Sequence, residues 1–279
     1  MNKKIFITYG DDLYKRSLER ICHEAEQSGE FDEIIAYTPT DIPESIKSNV
    51  LFSYKRGGGY WIWKPYVCLK TLEELDDSDI VVYSDCGNKI FKHSQWMMYW
   101  NWMSKKDAVF FYNGGRMGQW SRKALIDDYS HFVPMIRNMY QIISGFIILK
   151  KGALPIVKEW FDKMMTHPEY VIDADNKMKV YEYSEFIESR HDQAVLSATA
   201  YKHCLSNNVL VTRQRSERFR RGGQALFNAR ISDNMVRNPM IYEPIHILIF
   251  RIILVVPFRK LMMSIYMIIN KMLLIFNQR

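Results

Sequence analysis

The sequence predicts an α/β domain with a mainly parallel sheet that is flanked by helices. Short apolar runs, typical of buried strands, alternate with segments of helical periodicity along most of the 279 residues. Strands that alternate with helices usually form a parallel sheet that is covered on both faces. A hydrophobic share of 48% with 25% charged residues is that of a globular protein and not of a disordered one.

The first part of the chain supplies three predicted strands. Residues Lys4–Tyr9 form a short apolar run, and residues Asp11–Gln27 then carry apolar side chains at helical spacing up to a glycine that stops the helix. Residues Glu33–Tyr37 form a second apolar run, closed by Thr-Pro. A glycine-rich turn leads into a helix that Pro65 begins from its first turn, and a buried strand starts at Ile80.

The middle of the chain continues the alternation. A helix rich in Trp and Met is predicted over Gln95–Met103, and an apolar strand over Asp107–Tyr112. A single long strand is predicted over Tyr140–Lys150. Helical spacing then predicts helices over Ile156–Met165 and Glu185–Tyr201.

From Pro244 onward the chain is dominated by large apolar residues with basic interruptions. No uninterrupted apolar stretch reaches the ~18–20 residues of a membrane-spanning helix. On a helix, Lys260, Ser264 and Lys271 fall close to one stripe, with a wide apolar face beside them, which predicts a helix lying in the membrane interface. The alternatives are packing on the protein's own core or on an oligomer partner, and a true span is the least favoured.

Cysteine usage and the N-terminus bear on the compartment. The four cysteines have no CxxC or paired spacing, which argues against a disulfide framework or a zinc site and fits a reducing cytosol. The N-terminal apolar run is too short for a signal peptide. We therefore expect a cytoplasmic protein.

The net charge of +7 is concentrated in the last third of the chain. Five arginines crowd into the segment RQRSERFRR: Arg213, Arg215, Arg218, Arg220 and Arg221. Such a patch suits a polyanion, whether nucleic acid, anionic lipid head groups or a diphosphate. A solvated arginine-rich loop is the alternative. Nucleic acid is the least favoured partner because no recognisable nucleic-acid-binding module surrounds the patch.

A carboxylate follows the strand that starts at Ile80. In the segment IVVYSDCGNKI, Asp85 comes just past the C-terminal end of the strand. Ligands of open α/β sheets bind in the crevice outside the carboxyl ends of the strands. Asp85 is thus placed to meet a sugar hydroxyl or a phosphate-bound metal, and a turn-capping role is the alternative.

Four segments carry a family resemblance: Thr8-Tyr9-Gly10, GGGYWIWKPY, YSDCG and RHDQAVLSA. Together they resemble the nucleotide-sugar glycosyltransferases of the GT-A fold, a Rossmann-type fold, and in particular bacterial polysaccharide and O-antigen transferases. The resemblance covers roughly residues 5–205. With the C-terminal pattern, it predicts a GT-A-like domain over residues 1–240 and a basic, apolar membrane-association segment over residues 241–279.

The resemblance implies a nucleotide-sugar donor, with a UDP-sugar favoured, and a metal such as Mn²⁺ or Mg²⁺. It would place Asp85 and His191 as metal ligands. The usual Asp-x-Asp motif is incomplete here, because Ser84-Asp85-Cys86-Gly87 offers a single carboxylate. Either Asp85 binds metal with help from elsewhere, or the metal contribution is weak or absent.

Sugar transfer leaves a diphosphate with growing negative charge, so that a metal or basic side chains must stabilise it. Lys64 and the arginine segment, with Arg213, are the candidates for this contact. A solvated position at the helix start is the alternative for Lys64. Asp85 is predicted to contact the metal or the donor sugar.

The end of the first strand is the candidate base site. Tyr9 is placed to stack on a base, and Thr8 and Gly10 can offer backbone hydrogen bonds to it. Ordinary strand-end packing is the alternative. Trp61 or Trp63 can flank the site, but aromatic residues beside a glycine-rich turn are more often core, so that only one of them, Trp61, is assigned there.

The resemblance places His191 and Asp192 near the donor sugar and the acceptor. Asp192 would orient a sugar hydroxyl or act as base, and a helix N-cap is its alternative role. In the predicted strand 140–150, Gly145 allows close backbone approach to a sugar. Gln141 and Ser144 are the candidates for its hydroxyls.

The sequence therefore predicts a glycosyltransferase, peripheral on the inner face of the cell membrane. It would move a sugar to a lipid-linked glycan in bacterial O-antigen or capsule synthesis. The anionic inner leaflet of the membrane would be a partner, and the sequence is compatible with an oligomer. The alternative is a non-catalytic module that binds polyanions at a membrane surface.

Overall fold

The computed structural model describes residues 2–205, 208–220, 222–233 and 235–277, and its centre is a seven-stranded sheet. The strands in these residues are β1 (Lys4–Tyr9), β2 (Glu33–Tyr37), β3 (Ile80–Ser84), β4 (Lys89–Ile90), β5 (Ala108–Arg116), β6 (Tyr140–Ile142), β7 (Phe146–Leu149), β8 (Val209–Arg213), β9 (Leu226–Phe227), β10 (Ile231–Ser232) and β11 (Met235–Val236). The α-type helices are α1 (Lys15–Ser28), α2 (Glu44–Lys47), α3 (Gly57–Tyr60), α4 (Trp63–Glu74), α5 (Gln95–Met103), α6 (Met117–Trp120), α7 (Lys123–Ser130), α8 (Leu154–Thr166), α9 (Asp192–Cys204), α10 (Ile245–Phe250) and α11 (Val256–Asn277). Short 3₁₀ turns occur at Asp12–Tyr14, Pro39–Asp41, Val50–Ser53, Ile136–Asn138, Lys151–Ala153, Pro168–Tyr170 and Met178–Tyr181.

The order of the sheet is β2-β1-β3-β7-β5-β6, and β8 pairs with the other side of β5. Strand β1 is parallel to β2 and β3, and β5 is parallel to β8. Strand β7 is antiparallel to both β3 and β5, and β6 is antiparallel to β5. Strands β1, β2, β3, β5 and β8 therefore run in one direction, and β6 and β7 run in the other. This confirms the predicted α/β class with a mainly parallel sheet.

The core lies on both faces of the sheet, as expected for a parallel sheet. Alternate residues of β1 and β3 point to opposite sides, so that one apolar cluster includes Ile5 and Val81 and the other includes Phe6 and Val82. Helices α4, α8 and α9 pack on the first face, and α1 and α5 pack on the second. The predicted helical layers on both faces are confirmed.

Two predicted elements have different bounds. The single strand predicted over 140–150 is wrong, because β6 and β7 are separate strands with Ile143, Ser144 and Gly145 between them. The carbonyl of Gly145 accepts hydrogen bonds from the backbone N–H of Asp85 and the side-chain amide of Asn88. The break turns Ser144 and Gly145 towards the end of β3.

The helix predicted over 185–201 begins later, at Asp192. The preceding residue, His191, has φ +53° and ψ −122°, which a right-handed helix does not allow. Before it, the backbone N–H groups of Ile187 and Arg190 donate to the carbonyls of Gln119 and Trp120. Residues 185–191 are therefore tied to α6 as a loop.

Glu159 on α8 fastens α9, the helix that carries Asp192. Its carboxylate accepts from the Tyr129 hydroxyl at 2.8 Å and from Lys202 at 2.8 Å, and His203 Nε2 lies 2.7 Å away. Burial alone would raise the pKa of Glu159, but the bonds from His203, Lys202 and Tyr129 outweigh it and lower the pKa to about 2.

We expect this group to stabilise the fold at neutral pH. A carboxyl whose folded-state pKa is lowered contributes stability that is present above its ordinary value of 4.5 and is lost as the pH falls towards 2. Glu159→Gln should therefore lower the free energy of unfolding by at most about 3 kcal/mol at pH 7 and make it less dependent on pH between 4.5 and 2. Denaturant unfolding across that range measures both effects, and an unchanged acid limb would contradict the assignment.

The C-terminal segment forms one long helix: α10, a π-helical turn (Arg251–Val255) and α11. The widened turn precedes Pro257, which has no N–H to donate and would crowd the carbonyl of the preceding turn. One stripe of α11 packs on the domain through Met263, Tyr266 and Asn270, and the Asn270 side chain accepts from the Met135 N–H at 2.7 Å.

The opposite side of this helix is exposed and apolar: Phe258, Leu261, Ile265 and Ile268. Over the 31 residues from Ile245 to Ile275, the helix is also long and apolar enough to cross a membrane, by length and composition alone. A membrane-spanning helix was the least favoured of the three interpretations of the sequence. A long apolar C-terminal helix, as predicted, is confirmed.

Candidate active site

Lys64 is the centre of a polar cluster at the carboxyl end of β3, formed by Lys64, Asp85, Ser144 and Asp192 (the Lys64 cluster). Its ammonium lies 3.0 Å from Asp85 Oδ1, 3.1 Å from Asp192 Oδ2 and 3.3 Å from Ser144 Oγ. Only 2% of the residue is exposed. Burial would lower the pKa of Lys64, but the carboxylates of Asp192 and Asp85 outweigh it and raise the pKa above its ordinary value. The alternative of a solvated Lys64 is therefore wrong.

Asp85 is the accessible member of the Lys64 cluster, since 43% of its side chain is exposed. Its Oδ1 also accepts from the Tyr83 hydroxyl at 2.7 Å. A Cβ on residue 145 would lie 2.5 Å from Asp85 Oδ2, so only glycine lets the carboxylate take this position. The structure thus brings the predicted residues Asp85, Ser144 and Gly145 together.

Asp192 lies behind Lys64, with 6% of its side chain exposed. Burial raises the pKa of Asp192, and the Lys64 ammonium opposes the shift. Asp192 Oδ2 lies 3.1 Å from the Lys64 ammonium. The helix N-cap is His191 and has no side-chain cap bond, so the N-cap alternative for Asp192 is wrong. Asp192 therefore contacts Lys64 directly, and its predicted role as a base or as a sugar contact stays a prediction.

The glycine-rich turn is a left-handed helical turn. Residues 57–61 have consecutive φ values of 59°, 57°, 94°, 52° and 61°. Left-handed helix costs an L-residue roughly 1–2 kcal/mol, which glycine avoids. The three glycines therefore lower the conformational free energy of the turn, and Tyr60 and Trp61 complete it. It presents both aromatic rings to His191, at centroid distances of 5.0 Å and 5.4 Å.

His191 is held in this aromatic setting by its ring nitrogens. Nδ1 lies 2.6 Å from the Val171 carbonyl, so it is the nitrogen that donates. Nε2 is buried, has no hydrogen-bond partner among the residues that the structure describes, and lies 3.8 Å from the carboxylate of Asp173. Burial lowers the pKa of His191, which favours the neutral ring. These contacts are with a different set of residues from those of Asp85.

Few side chains near Asp85 are available as ligands for a divalent metal. Asp85 offers one free carboxylate oxygen, because Tyr83 and Lys64 engage the other, and an ammonium already lies beside it. Within the described ranges no group of three His, Cys, Asp or Glu side chains is placed to hold a metal. Such a set does not fit a metal held by the protein alone, since Mg²⁺ takes six ligands and keeps several waters or substrate phosphates when the protein supplies one or two carboxylates. Metal binding by Asp85 with His191 stays a prediction.

A cavity of about 390 Å³ lies in front of Asp85 (the site cavity). Besides Asp85, its polar lining includes Asn88, Asn113, Gln141, Ser144, Arg190, Gln193, Glu217, Asn228 and Arg230. Gln141, as predicted, lines it, but its amide is already engaged by Ser121 at 2.7 Å and by Gln193 at 3.1 Å. Asn88 follows the segment YSDCG, Arg190 and Gln193 belong to RHDQAVLSA, and Glu217 lies within the arginine segment, but the sequence analysis assigned none of these four residues to the site.

The predicted base site lies at the end of β1. Tyr9 stacks on Trp63, with ring centroids 3.8 Å apart, so one face of its ring is occupied by the protein. Thr8 is fully buried, and Gly10 N donates to the Tyr37 carbonyl at 3.1 Å. These three residues do not line the site cavity. Trp63, and not the assigned Trp61, adjoins Tyr9, because the left-handed turn directs Trp61 to His191. Base stacking stays a prediction.

Arg213 lies in a second cavity, of about 510 Å³ (the arginine cavity), and not in the site cavity. The two cavities share Asn113, Glu217 and Arg230, so they adjoin. Arg221 lies outside the described residues. The structure therefore separates Arg213 from the Lys64 cluster.

The solved structures that are similar to the chain include the following three. A glycosyltransferase involved in glycosylation of the major capsid of PBCV-1 shares 10% identity over 68% of this chain and 81% of that one, at a TM-score of 0.38. The galactosyltransferase LgtC shares 16% identity over 77% of this chain and 74% of that one, at 0.37. A 4-diphosphocytidyl-2C-methyl-D-erythritol synthase from Anaerococcus prevotii shares 15% identity over 72% and 98%, at 0.32. No family model and no curated protein matches the chain.

Proposed function

We propose that this chain is a glycosyltransferase that uses a nucleotide diphosphosugar. The observation that carries the proposal is the Asp85 carboxylate at the carboxyl end of β3, which Tyr83 and Lys64 hold in place and which faces a polar cavity of about 390 Å³. Polar groups that converge in a crevice at the carboxyl ends of parallel strands are typical of a ligand site in an α/β sheet.

The residues divide into groups that contact the substrates and groups that position them. In the transfer, the bond between the anomeric carbon and the phosphate oxygen breaks, and its electron pair leaves with the diphosphate. The acceptor oxygen bonds to the carbon, and its proton passes to a carboxylate of the cavity. Asp85 Oδ2 accepts a hydrogen bond from a sugar hydroxyl. Arg190 and Arg230 stabilise the negative charge that develops on the diphosphate. Lys64 and Asp192 fix the position of Asp85.

A more specific proposal concerns the donor, the acceptor and the subcellular location of the enzyme. We infer a UDP-sugar donor of a hexosyl group, a lipid-linked glycan acceptor and a role in bacterial O-antigen or capsule synthesis. The motifs GYWIWKPY and YSDCG support it, together with the exposed apolar side of α11. That side suits the cytoplasmic face of a membrane, where anionic lipid attracts the neighbouring basic residues.

The membrane association can be tested on the exposed side of α11. Replacing Leu261, Ile265 and Ile268 by serine should abolish sedimentation of the protein with anionic vesicles, because these side chains supply the apolar contact. The melting temperature should hardly change, since they face away from the core. In the control Tyr266→Ala, which removes a packed side chain, the melting temperature should fall instead. If the triple variant keeps vesicle binding and a dimer becomes a monomer, α11 is an oligomer interface.

The function itself is tested with a panel of nucleotide sugars. A donor at 100 times its Kd stabilises the native state by about 2.7 kcal/mol and raises the melting temperature. We expect one member of the panel to do so, with Mg²⁺, with Mn²⁺ or with EDTA. The second candidate function is a non-catalytic module that binds polyanions, and the arginine cavity is the observation that supports it. A chain that binds polyanions but no nucleotide sugar would support that alternative.

A further inference from the structure

The arginine cavity lies between the sheet and the C-terminal helix. Strand β8 and the residues after it supply Arg213, Arg215, Arg218 and Arg220, and the helix supplies Arg251 and Arg259. With Arg230, seven arginines among the described residues line the cavity, together with two glutamates, Glu217 and Glu243. Its formal charge is therefore an excess of five positive charges in about 510 Å³.

Only part of this charge is paired. Arg218 and Arg251 each lie 2.6 Å from the Glu243 carboxylate, and Arg230 pairs with Glu217. In the portion of the chain that the structure describes, no carboxylate lies within ion-pair distance of Arg213, Arg215, Arg220 or Arg259.

The cost of this arrangement is visible at Arg213. Burial, with the charges of Arg251, Arg220 and Arg259, lowers its pKa to about 10. Unpaired and partly buried cations repel one another, so that an anion between them would relieve the repulsion.

The walls of the cavity indicate what kind of anion fits. On one side it adjoins the site cavity through Asn113, Glu217 and Arg230. Its lining also includes apolar side chains of the C-terminal helix, Ile247, Phe250 and Val255, and Phe250 is 58% exposed. A ligand that spans these walls has a charged group among the arginines, an apolar chain along the helix and a reacting end at Asp85.

We propose that the arginine cavity binds the diphosphate of an amphiphilic acceptor, a diphosphate joined to a long apolar chain. This inference rests on the proposed function and locates its acceptor. The same diphosphate chemistry occurs in the nucleotide donor. The apolar wall and the distance of Arg213 from the Lys64 cluster favour the amphiphile, because a nucleoside offers no apolar chain to the helix.

The test is equilibrium binding to the full chain, with farnesyl diphosphate, farnesol, inorganic diphosphate and UDP as probes. Farnesyl diphosphate should bind more tightly than farnesol or inorganic diphosphate. Arg213→Gln and Arg259→Gln, from opposite walls, should each weaken its binding by about tenfold, as for the loss of one charge-assisted contact. The same change at Arg16, an exposed residue of α1 outside the cavity, is the matched control and should have no effect.

Three results would overturn the inference. Farnesyl diphosphate binding that is insensitive to both arginine changes would show that the cavity is not its site. Equal binding of farnesol would mean that only the chain is recognised. An equal loss of UDP binding in Arg213→Gln would assign the cavity to the donor. Because no turnover is needed, arginine-dependent binding without any nucleotide-sugar turnover would leave this inference standing while the proposed function fails. Arg259→Gln keeps the test usable if Arg213→Gln does not fold.

Discussion

Lys64→Met is expected to lower the free energy of unfolding by about 3 to 5 kcal/mol and to remove measurable sugar transfer. The ammonium is buried and compensates two carboxylates at 3.0 Å and 3.1 Å. Methionine has a similar volume but leaves Asp85 and Asp192 without their counter-charge, and removing one partner of a buried ion pair is strongly destabilising. Denaturant unfolding at pH 7 measures the loss.

A second substitution separates this electrostatic effect from a packing effect. In the Lys64→Met, Asp192→Asn double variant, the more deeply buried carboxylate is neutral, so that much of the lost stability should return. Transfer should stay low, because Asp85 is still not held by the ammonium. A Lys64→Met protein as stable as the wild type would contradict the buried ion pairs.

Asp85→Asn is expected to keep the fold and to lower transfer at least ~100-fold, as for the loss of one well-placed polar contact to the transition state. The side chain is partly exposed, its shape is nearly unchanged, and Lys64 keeps Asp192 as a partner. Kinetics of nucleotide release and the melting temperature measure the two expectations.

A matched exchange controls for the loss of a surface charge. Asp162 on α8 is 51% exposed and pairs only with Lys158 among the described residues. Asp162→Asn should therefore leave transfer unchanged. If a folded Asp85→Asn enzyme turns over at the normal rate, the site has been placed wrongly.

Much of the fold was predictable because its signals are local. The bounds of β1, β2 and α5 agree with the apolar runs and helical spacing of the sequence. The meeting of Asp85 with Ser144 and Gly145 did not follow from the strand pattern, which placed both residues inside one strand, whereas they precede β7, a strand antiparallel to β3.

Other features depend on contacts that no local pattern encodes. The predicted strand over 140–150 is interrupted between β6 and β7, where the Gly145 carbonyl accepts from Asp85 and Asn88, residues far away in the sequence. Lys64, near the start of α4, is buried beside two carboxylates that come from distant segments of the sequence. The arginine segment reads as one patch in the sequence, yet Arg213 lies in a cavity that exists only once the C-terminal helix packs beside β8.

The most direct test of the central claim, that Asp85 serves nucleotide-sugar transfer, is nucleoside diphosphate release. The donor that raises the melting temperature is incubated with wild-type protein, Asp85→Asn and Asp162→Asn, and the released nucleotide is quantified over time. We expect the wild type and Asp162→Asn to release nucleoside diphosphate at similar rates, and folded Asp85→Asn to release it at least ~100-fold more slowly. Release at equal rates by all three proteins, or no release from any nucleotide sugar by the wild type, would contradict it.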